Sequence, residues 1–273
     1  MHGEAESRFD VANQIVAFKR SMAPRREALR RAFGEVKDHV SRATDAIRED
    51  TAAGRPVVPE VEYRDIRSGS IAEGTRQAIR RTGCAVVRGV FPASVASDWF
   101  AELGEYLETN NYEQREVEKR SLDKYFSALK AGKPQIFNIY WSRPQVMARQ
   151  DPNLAATRAF LDRLWTFEGV FDPDKQCTYA DRVRRRQPGD KTLGLSPHMD
   201  AGTVERWIDP GYQRVYENIF AGDWRRHDPF DGTHRLKTAE IPSPAVCSMF
   251  RTYQGWTALT RQGPRDGTLR LIP

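Results

Sequence analysis

A histidine and an aspartate lie close together in one stretch, Leu195-Ser-Pro-His-Met-Asp-Ala-Gly-Thr-Val-Glu-Arg-Trp207. His198 and Asp200 are separated by one residue, so that in a strand their side chains point to the same face. Pro197 can begin such a strand, and Gly202 leaves room beside the pair for a small molecule. Because an imidazole and a carboxylate are two of the three ligands of a facial iron site, the stretch predicts a metal-binding strand.

The His-x-Asp triplet also has a simpler interpretation. A surface histidine that is hydrogen-bonded to a neighbouring carboxylate gives the same pattern. With five histidines in the chain, chance alone produces the triplet in roughly one chain of this length in three or four. The triplet by itself favours this simpler interpretation. A metal site is predicted only if other features of the sequence support it.

Length and composition limit the class of protein. The 273 residues are enough for one large domain, or for a domain with a helical extension. The sequence has no apolar stretch long enough to span a bilayer and no secretion leader. Cys84, Cys177 and Cys247 are far apart and form no C-x-x-C pair, which argues against a disulfide framework and a zinc cluster. The default expectation is a soluble protein of the reducing cytoplasm.

The net charge of +6 raises the question of nucleic acid. The densest basic run, Arg182 to Arg186, is short, and acids and bases are interleaved in the first fifty residues. This pattern favours a solvated surface or an anionic small substrate. A nucleic-acid or anionic-partner module that uses Arg182 to Arg186 with Arg225 and Arg226 stays open as an alternative, and it predicts binding that weakens steeply with salt.

The N-terminal region is predicted to be helical. Residues 8 to 50 carry apolar residues at near-helical spacing, with an interruption at Ala23-Pro24. Residues 51 to 60 contain two prolines and a glycine and are predicted to be a linker. We therefore expect a helical extension and linker over residues 1–59, which packs on the protein or joins it into an oligomer, and a second domain over 60–273.

Helices and strands are predicted to alternate in the second domain. Helices are expected over 70–81, from a Ser94 cap onward, and over 152–167; strands are expected over 84–91, 136–141, 245–250, 255–260 and 268–273. Closely spaced turn signals between residues 209 and 234 predict a long loop, which contains His227 and His234. Strands before, at and after the His-x-Asp triplet suggest a small barrel or jelly roll with a site in its mouth.

The order of these elements resembles a known family. The strings Gly83 to Pro92, Ser196 to Trp207, Phe250 to Leu259 and Gly267 to Pro273 are similar to the Fe(II)/2-oxoglutarate dioxygenases of the phytanoyl-CoA hydroxylase type. The second and third strings are closer still to a poorly characterised branch, the YbiU-like family. The resemblance covers roughly residues 60 to 273 and is much more specific than the triplet alone.

The resemblance implies an α+β protein with a double-stranded β-helix (jelly-roll) core that holds one Fe(II). His198 and Asp200 would be the first two ligands. Trp256 falls where related enzymes contact the cosubstrate 2-oxoglutarate, and Thr268 is a second candidate for that contact. The implied reaction converts 2-oxoglutarate to succinate and hydroxylates an unidentified small molecule.

The resemblance also implies residues that these strings do not contain. A third ligand, a histidine, and an arginine for 2-oxoglutarate are expected on later strands, beyond Pro273. We therefore expect a fragment that lacks its C-terminal strands. Two alternatives stay open: His227 or His234 replaces the missing ligand, or the chain is a short, metal-free binding protein of the same fold.

The substrate pocket is predicted only in outline. Asn138 and Tyr140 alternate on the strand 136–141 and face either the pocket or the core. Arg206 continues the ligand strand and either lines the pocket or pairs with a carboxylate. Glu205 is predicted to be solvent-exposed, and Trp207 is predicted to lie in the core.

Overall fold

The computed structural model describes residues 10–112, 114–115, 135–178, 181–186, 204–236, 250–263, 266 and 268–273. The chain divides into two compact units. The first comprises residues 1–57, 162–172 and 199–253, and the second comprises residues 58–161, 173–198 and 254–273.

Within the described residues, helices outweigh strands. The helices are α1 (Val11–Ser21), α2 (Arg26–Ala52), α3 (Tyr63–Ser68), α4 (Glu73–Thr82), α5 (Ala93–Thr109), α6 (Arg143–Gln150), α7 (Pro152–Asp162), α8 (Pro210–Val215) and α9 (Glu217–Phe220). The 3₁₀ helices are Ala23–Arg25, Val204–Ile208 and Trp224–Arg226. The strands are β1 (Glu60–Glu62), β2 (Val86–Arg88), β3 (Ile136–Phe137) and β4 (Val183–Arg184). None of the helices in the described part of the chain is both long and apolar enough to cross a membrane.

The predicted N-terminal helices and their interruption are confirmed. Asp10 caps α1, since its Oδ1 accepts a hydrogen bond from the Asn13 amide at 3.0 Å. Pro24 lies in the 3₁₀ helix that separates α1 from α2, because a proline cannot donate the amide hydrogen bond of a helix interior. The 3₁₀ helix therefore ends α1 before α2 begins, and both helices belong to the first unit.

Aromatic side chains pack α1 against the later segments of the first unit, which contain Trp207 and Phe220. The ring of Phe18 lies 6.4 Å from the ring of Trp207 and 5.0 Å from that of Phe220, measured between centroids. Gly222 lies close to Ala28 of α2: a Cβ placed on Gly222 would be only 2.9 Å from the Cβ of Ala28. Because Gly222 also has a φ of +82°, a larger residue there would strain the backbone and push against α2.

The second unit has two small sheets. β1 and β2 are parallel, with Val61 opposite Val87, and β3 and β4 are antiparallel. Leu107 of α5 packs with Phe137 and Ile139 in a buried cluster. β2 and β3 lie inside the predicted strands 84–91 and 136–141, but they are shorter than predicted. The helix predicted over 70–81 is found as α4, which ends at Thr82 because Gly83 adopts the left-handed conformation with a φ of +68°.

Several boundaries differ from the prediction. The helix expected over 152–167 ends at Asp162, because the backbone of Thr166 donates instead to the carbonyl of Phe230 at 2.9 Å. Pro92, not Ser94, is the N-cap of α5, since its carbonyl already accepts the first helical hydrogen bond from Ala96. The loop expected over 209–234 contains α8, α9 and the 3₁₀ helix Trp224–Arg226.

The C-terminal strands are not assigned. Residues 250–263 and 268–273 contain no strand, and Trp256 and Ile272 are exposed there. The jelly-roll core stays a prediction, because residues 187–203 and 237–249, where two of its strands are expected, lie outside the described residues.

Candidate functional site

His198 and Asp200, the predicted iron ligands, lie outside the described residues. The described chain begins again at Val204 as a 3₁₀ helix, Val204–Ile208. The prediction that Glu205, Arg206 and Trp207 continue a ligand strand is therefore wrong. A 3₁₀ helix forms because the chain turns into α8 at this point, and the Asp209 amide donates to the carbonyl of Arg206 at 3.2 Å.

Arg206 is held by Tyr212. Its guanidinium carbon lies 4.6 Å from the centroid of the Tyr212 ring, and its Nη1 donates a hydrogen bond to the Tyr212 hydroxyl. Arg206 is only 7% exposed. Burial raises the pKa of Tyr212, because the charged phenolate is poorly solvated there, although the charge of Arg206 acts in the opposite direction. These contacts favour a structural role for Arg206, for which the sequence left open a place in the substrate pocket or a pair with a carboxylate; the observed partner is the Tyr212 hydroxyl.

Asp209 fixes the start of α8. Its side chain is 2% exposed, and its Oδ1 accepts a hydrogen bond from the Tyr212 amide at 2.9 Å. An aspartate cap followed by a proline at the first helical position is a helix-start signal. The sequence Asp209-Pro-Gly was interpreted as a turn, so this signal was missed. Arg206, Asp209 and Tyr212 together form a buried anchor, which begins two residues after the described chain resumes at Val204.

His227 and His234, the proposed substitute ligands, both line a small polar pocket of about 80 Å³ in the first unit. The pocket is lined by Arg214, Val215, Glu217, Asn218, Arg226, His227, Asp228, Asp231 and His234. Its wall carries both charges, which suits water or a small polar molecule better than an apolar one.

The electrostatics of this pocket keep His227 neutral. Burial lowers the pKa of His227, and the nearby positive charge of Arg235 lowers it further. The pKa of Asp231 is also lowered, chiefly by the hydrogen bond from the Thr233 hydroxyl. Among the described residues, no three His, Cys, Asp or Glu side chains are arranged to hold a metal ion. Substitution of a ligand by His227 or His234 therefore stays a prediction.

Asn138 and Tyr140 lie together in the second unit. The Tyr140 hydroxyl donates to Oδ1 of Asn138 at 3.3 Å, while Ile139 between them is buried. This is the alternation that the sequence predicts after β3. Nη2 of Arg149 donates to the Tyr140 carbonyl at 2.7 Å and fixes the backbone there. The pair offers an amide and a phenol, both half-buried, on one side of the chain.

Trp256 and Thr268, the predicted 2-oxoglutarate contacts, are also in the second unit. Trp256 is 56% exposed, so most of its indole is open to a ligand. The Thr268 hydroxyl donates to the Gly263 carbonyl at 2.9 Å and closes a turn. Trp256 is thus available for a contact, whereas the Thr268 hydroxyl already has a partner.

Comparison with known proteins identifies the relatives of this chain. It is 40% identical over 247 residues to the uncharacterised protein YbiU of Escherichia coli strain K12, a match that covers 88% of this chain and 58% of the relative. This supports the resemblance to the YbiU-like family. The chain spans about three fifths of the length of that relative.

Two solved structures are similar in fold. The hypothetical protein JW0805 of Escherichia coli has a TM-score of 0.74 and 36% identity, covering 90% of this chain and 58% of its own. A protein of Salmonella typhimurium LT2, named "Putative Oxidoreductase", has a TM-score of 0.79 and 35% identity, covering 90% of this chain and 61% of its own. The Gig2-like family model matches residues 10–273. The chain therefore belongs to the Gig2-like family.

Proposed function

We propose that this chain is the iron-binding part of a non-haem Fe(II)/2-oxoglutarate-dependent dioxygenase. The single observation that carries the proposal is the His198-Met-Asp200 triplet within a longer string that resembles such enzymes. The oxidoreductase name of the Salmonella typhimurium protein supports the broad reaction class. The substrate and the reaction of the whole protein are part of the proposal.

The donor set fits the metal. A neutral imidazole and a carboxylate suit Fe(II), and a facial arrangement leaves positions open for other ligands. When bound, the iron would supply oxidation by O₂: one oxygen atom would go to 2-oxoglutarate, which would lose CO₂ and become succinate, and the other would hydroxylate an organic substrate. Within this chain, His198 and Asp200 would hold the metal through Nε2 or Nδ1 and a carboxylate oxygen.

Other residues of the chain would position the reactants. The exposed indole of Trp256 would pack against 2-oxoglutarate and exclude water from one side of it. The buried anchor of Arg206, Asp209 and Tyr212 would hold the chain that follows the ligands in one conformation. The half-buried amide of Asn138 and phenol of Tyr140 would bind a polar group of the substrate.

Iron binding tests the proposal directly. In anaerobic equilibrium dialysis against Fe(II), we expect the wild-type chain to bind iron weakly through its two ligands and the variants His198→Ala and Asp200→Ala to lose most of that binding. The matched control is His39→Ala, which removes a histidine of α2 whose ring lies 5.2 Å from that of Trp224. Equal iron content in all four proteins would overturn the proposed ligands.

A further inference from the structure

Alternate residues of the segment that contains β4 are arginines. The three are Arg182, Arg184 and Arg186. β4 pairs antiparallel with β3, with Arg184 opposite Ile136. The register continues by one residue, since the Arg185 amide donates to the Gln135 carbonyl at 3.0 Å. Because successive residues of an extended chain point to opposite faces, the three arginines lie on one face of this sheet, together with Ile136.

The same face carries Asn138 and Tyr140. From residue 135 to residue 140, buried and half-buried residues alternate, and Ile136, Asn138 and Tyr140 are the half-buried ones. Asn138 therefore points to the face of the arginines. Diagonal neighbours on paired strands are about 7–8 Å apart, so the long side chain of Arg184 can reach the region of Asn138. We call Arg182, Arg184, Arg186 and Asn138 the arginine face.

The arginine face offers hydrogen-bond donors. Oδ1 of Asn138 accepts a hydrogen bond from the Tyr140 hydroxyl at 3.3 Å, which leaves Nδ2 of the same amide to donate. A guanidinium has five N–H donors and no acceptor, and its planar fork matches the oxygens of a carboxylate or a phosphate. Donors without acceptors suit an oxyanion better than a neutral polar group.

The carboxylate nearest in sequence does not neutralise the arginine face. Asp181 forms an ion pair with Arg149 of α6. Asp181 also alternates with Arg182, so it lies on the opposite face of the segment from Arg184. Within the described part of the chain, no carboxylate forms an ion pair with Arg184. The positive charge of Arg184 is thus left for a partner from outside these residues.

The surroundings of Arg184 favour the approach of a negative charge. Its side chain is exposed, so a ligand can reach it. Neighbouring protein atoms nevertheless displace part of the water around the guanidinium, and this loss lowers the pKa of Arg184; the positive charge of Arg186 lowers it further. Both effects make the charged guanidinium less favourable here than in water. A bound anion would offset both of them.

We propose that the arginine face binds a carboxylate or phosphate group of the substrate. The inference rests on the proposed function only in calling the bound molecule the substrate, because the anion site itself needs no iron. Arg184 would hold the oxyanion, and Arg182 and Arg186, each about 7 Å away along the chain, would add positive charge. Asn138 would donate through Nδ2, and Tyr140 would be a positioning residue that orients this amide. The substrate would therefore be a small organic anion.

Ligand-observed NMR of the metal-free chain at low ionic strength tests the anion site. Saturation transfer from the protein should reach the methyl groups of methyl phosphate and acetate, but not those of methyl acetate, which is neutral. Arg184→Gln should raise the dissociation constant of methyl phosphate by about tenfold or more. Arg184→Lys keeps the charge without the fork and should lie between the two. Arg185→Gln is the matched control, because it removes the same charge from the opposite face and should bind like the wild type.

Further arms separate this inference from the iron site and from other ligands. His198→Ala should bind methyl phosphate like the wild type, so a failed iron site and a failed anion site give different results. Equal transfer to methyl acetate, or equal losses in Arg184→Gln and Arg185→Gln, would overturn the anion site. If 2-oxoglutarate bound through Arg184 at least about tenfold more tightly than methyl phosphate, or if a single-stranded oligonucleotide displaced methyl phosphate at micromolar concentration, the assignment to a small substrate would be overturned.

Discussion

The guanidinium of Arg206 lies 4.6 Å above the ring of Tyr212 and donates a hydrogen bond to the hydroxyl of the same residue. Both side chains are buried. One tyrosine therefore meets the cation with its π face and with its oxygen, in the segment that follows the proposed iron ligands.

Removal of the Tyr212 hydroxyl should destabilise the protein. Tyr212→Phe keeps the ring beneath Arg206 but leaves a buried charged donor with one fewer acceptor, which costs about 1–3 kcal/mol. Urea unfolding followed by tryptophan fluorescence measures this change. The control is Tyr106→Phe, at an exposed tyrosine of α5. An unchanged unfolding midpoint for Tyr212→Phe would show that the hydroxyl does not stabilise Arg206.

Asp209 should stabilise the protein as the N-cap of α8. Asp209→Ala removes the acceptor of the Tyr212 amide and should lower the free energy of unfolding by about 1 kcal/mol, the usual value of an N-cap. Asp209→Asn keeps a side-chain oxygen at the same place and should retain most of the stability. If alanine and asparagine were equally destabilising, the carboxylate charge would matter and the cap would not.

Glu35 should make the packing of α2 sensitive to acid. The hydrogen bond from Arg225 and the one from Trp224 lower the pKa of Glu35 below the usual value of a glutamate. The stabilising contribution of a carboxylate with a lowered pKa is complete above its unfolded pKa and is lost as the pH falls through the lowered value.

We therefore expect the stability difference between wild type and Glu35→Gln to disappear at low pH. Thermal unfolding between pH 7 and pH 3 measures it. Because the contact is exposed, the difference at neutral pH should be small. Asp45→Asn, which breaks an exposed pair with Arg48 on the same helix, is the matched control. A difference that does not depend on pH would contradict the ion pair.

His227 should titrate below the usual range of histidine. Burial and the charge of Arg235 lower its pKa, so that the imidazole is neutral at pH 7. A lowered histidine pKa stabilises the fold above the unfolded pKa, and this contribution is lost as the pH falls through the folded value. Arg235→Gln should raise the pKa of His227 in an NMR titration. A pKa that Arg235→Gln leaves unchanged would contradict the electrostatic cause.

Helices with strong local signals could be predicted from the sequence. The Ala23-Pro24 break and the Gly83 stop are set by the conformations that proline and glycine allow, and both are found where expected. The short helices after Asp209 were missed because Asp-Pro-Gly is compatible with both a turn and a capped helix. Tertiary contacts such as that of Arg206 with Tyr212 decide between the two.

The candidate site was less predictable than the helices. The alternation of Asn138 and Tyr140 follows from strand geometry and is found. The strand expected to contain Trp256 is not assigned, because its hydrophobic pattern does not by itself supply the pairing partner that a strand needs. The polar pocket around His227 was not predicted. Its charged residues lie between Arg214 and His234, a range that the turn signals of the sequence indicated to be a long loop.

In the proposed function, His198 and Asp200 bind Fe(II) together with 2-oxoglutarate. The most direct measurement is an anaerobic titration of this chain with both, in which the weak visible charge-transfer band of the chelate is recorded, with Escherichia coli YbiU measured in parallel. We expect a band in YbiU and a weaker one in this chain, because two ligands hold iron less firmly than three. The band of this chain should be lost in His198→Ala and Asp200→Ala and retained in His39→Ala. A band in YbiU alone would contradict the claim that this chain forms the site. The absence of a band in both proteins would contradict the dioxygenase assignment.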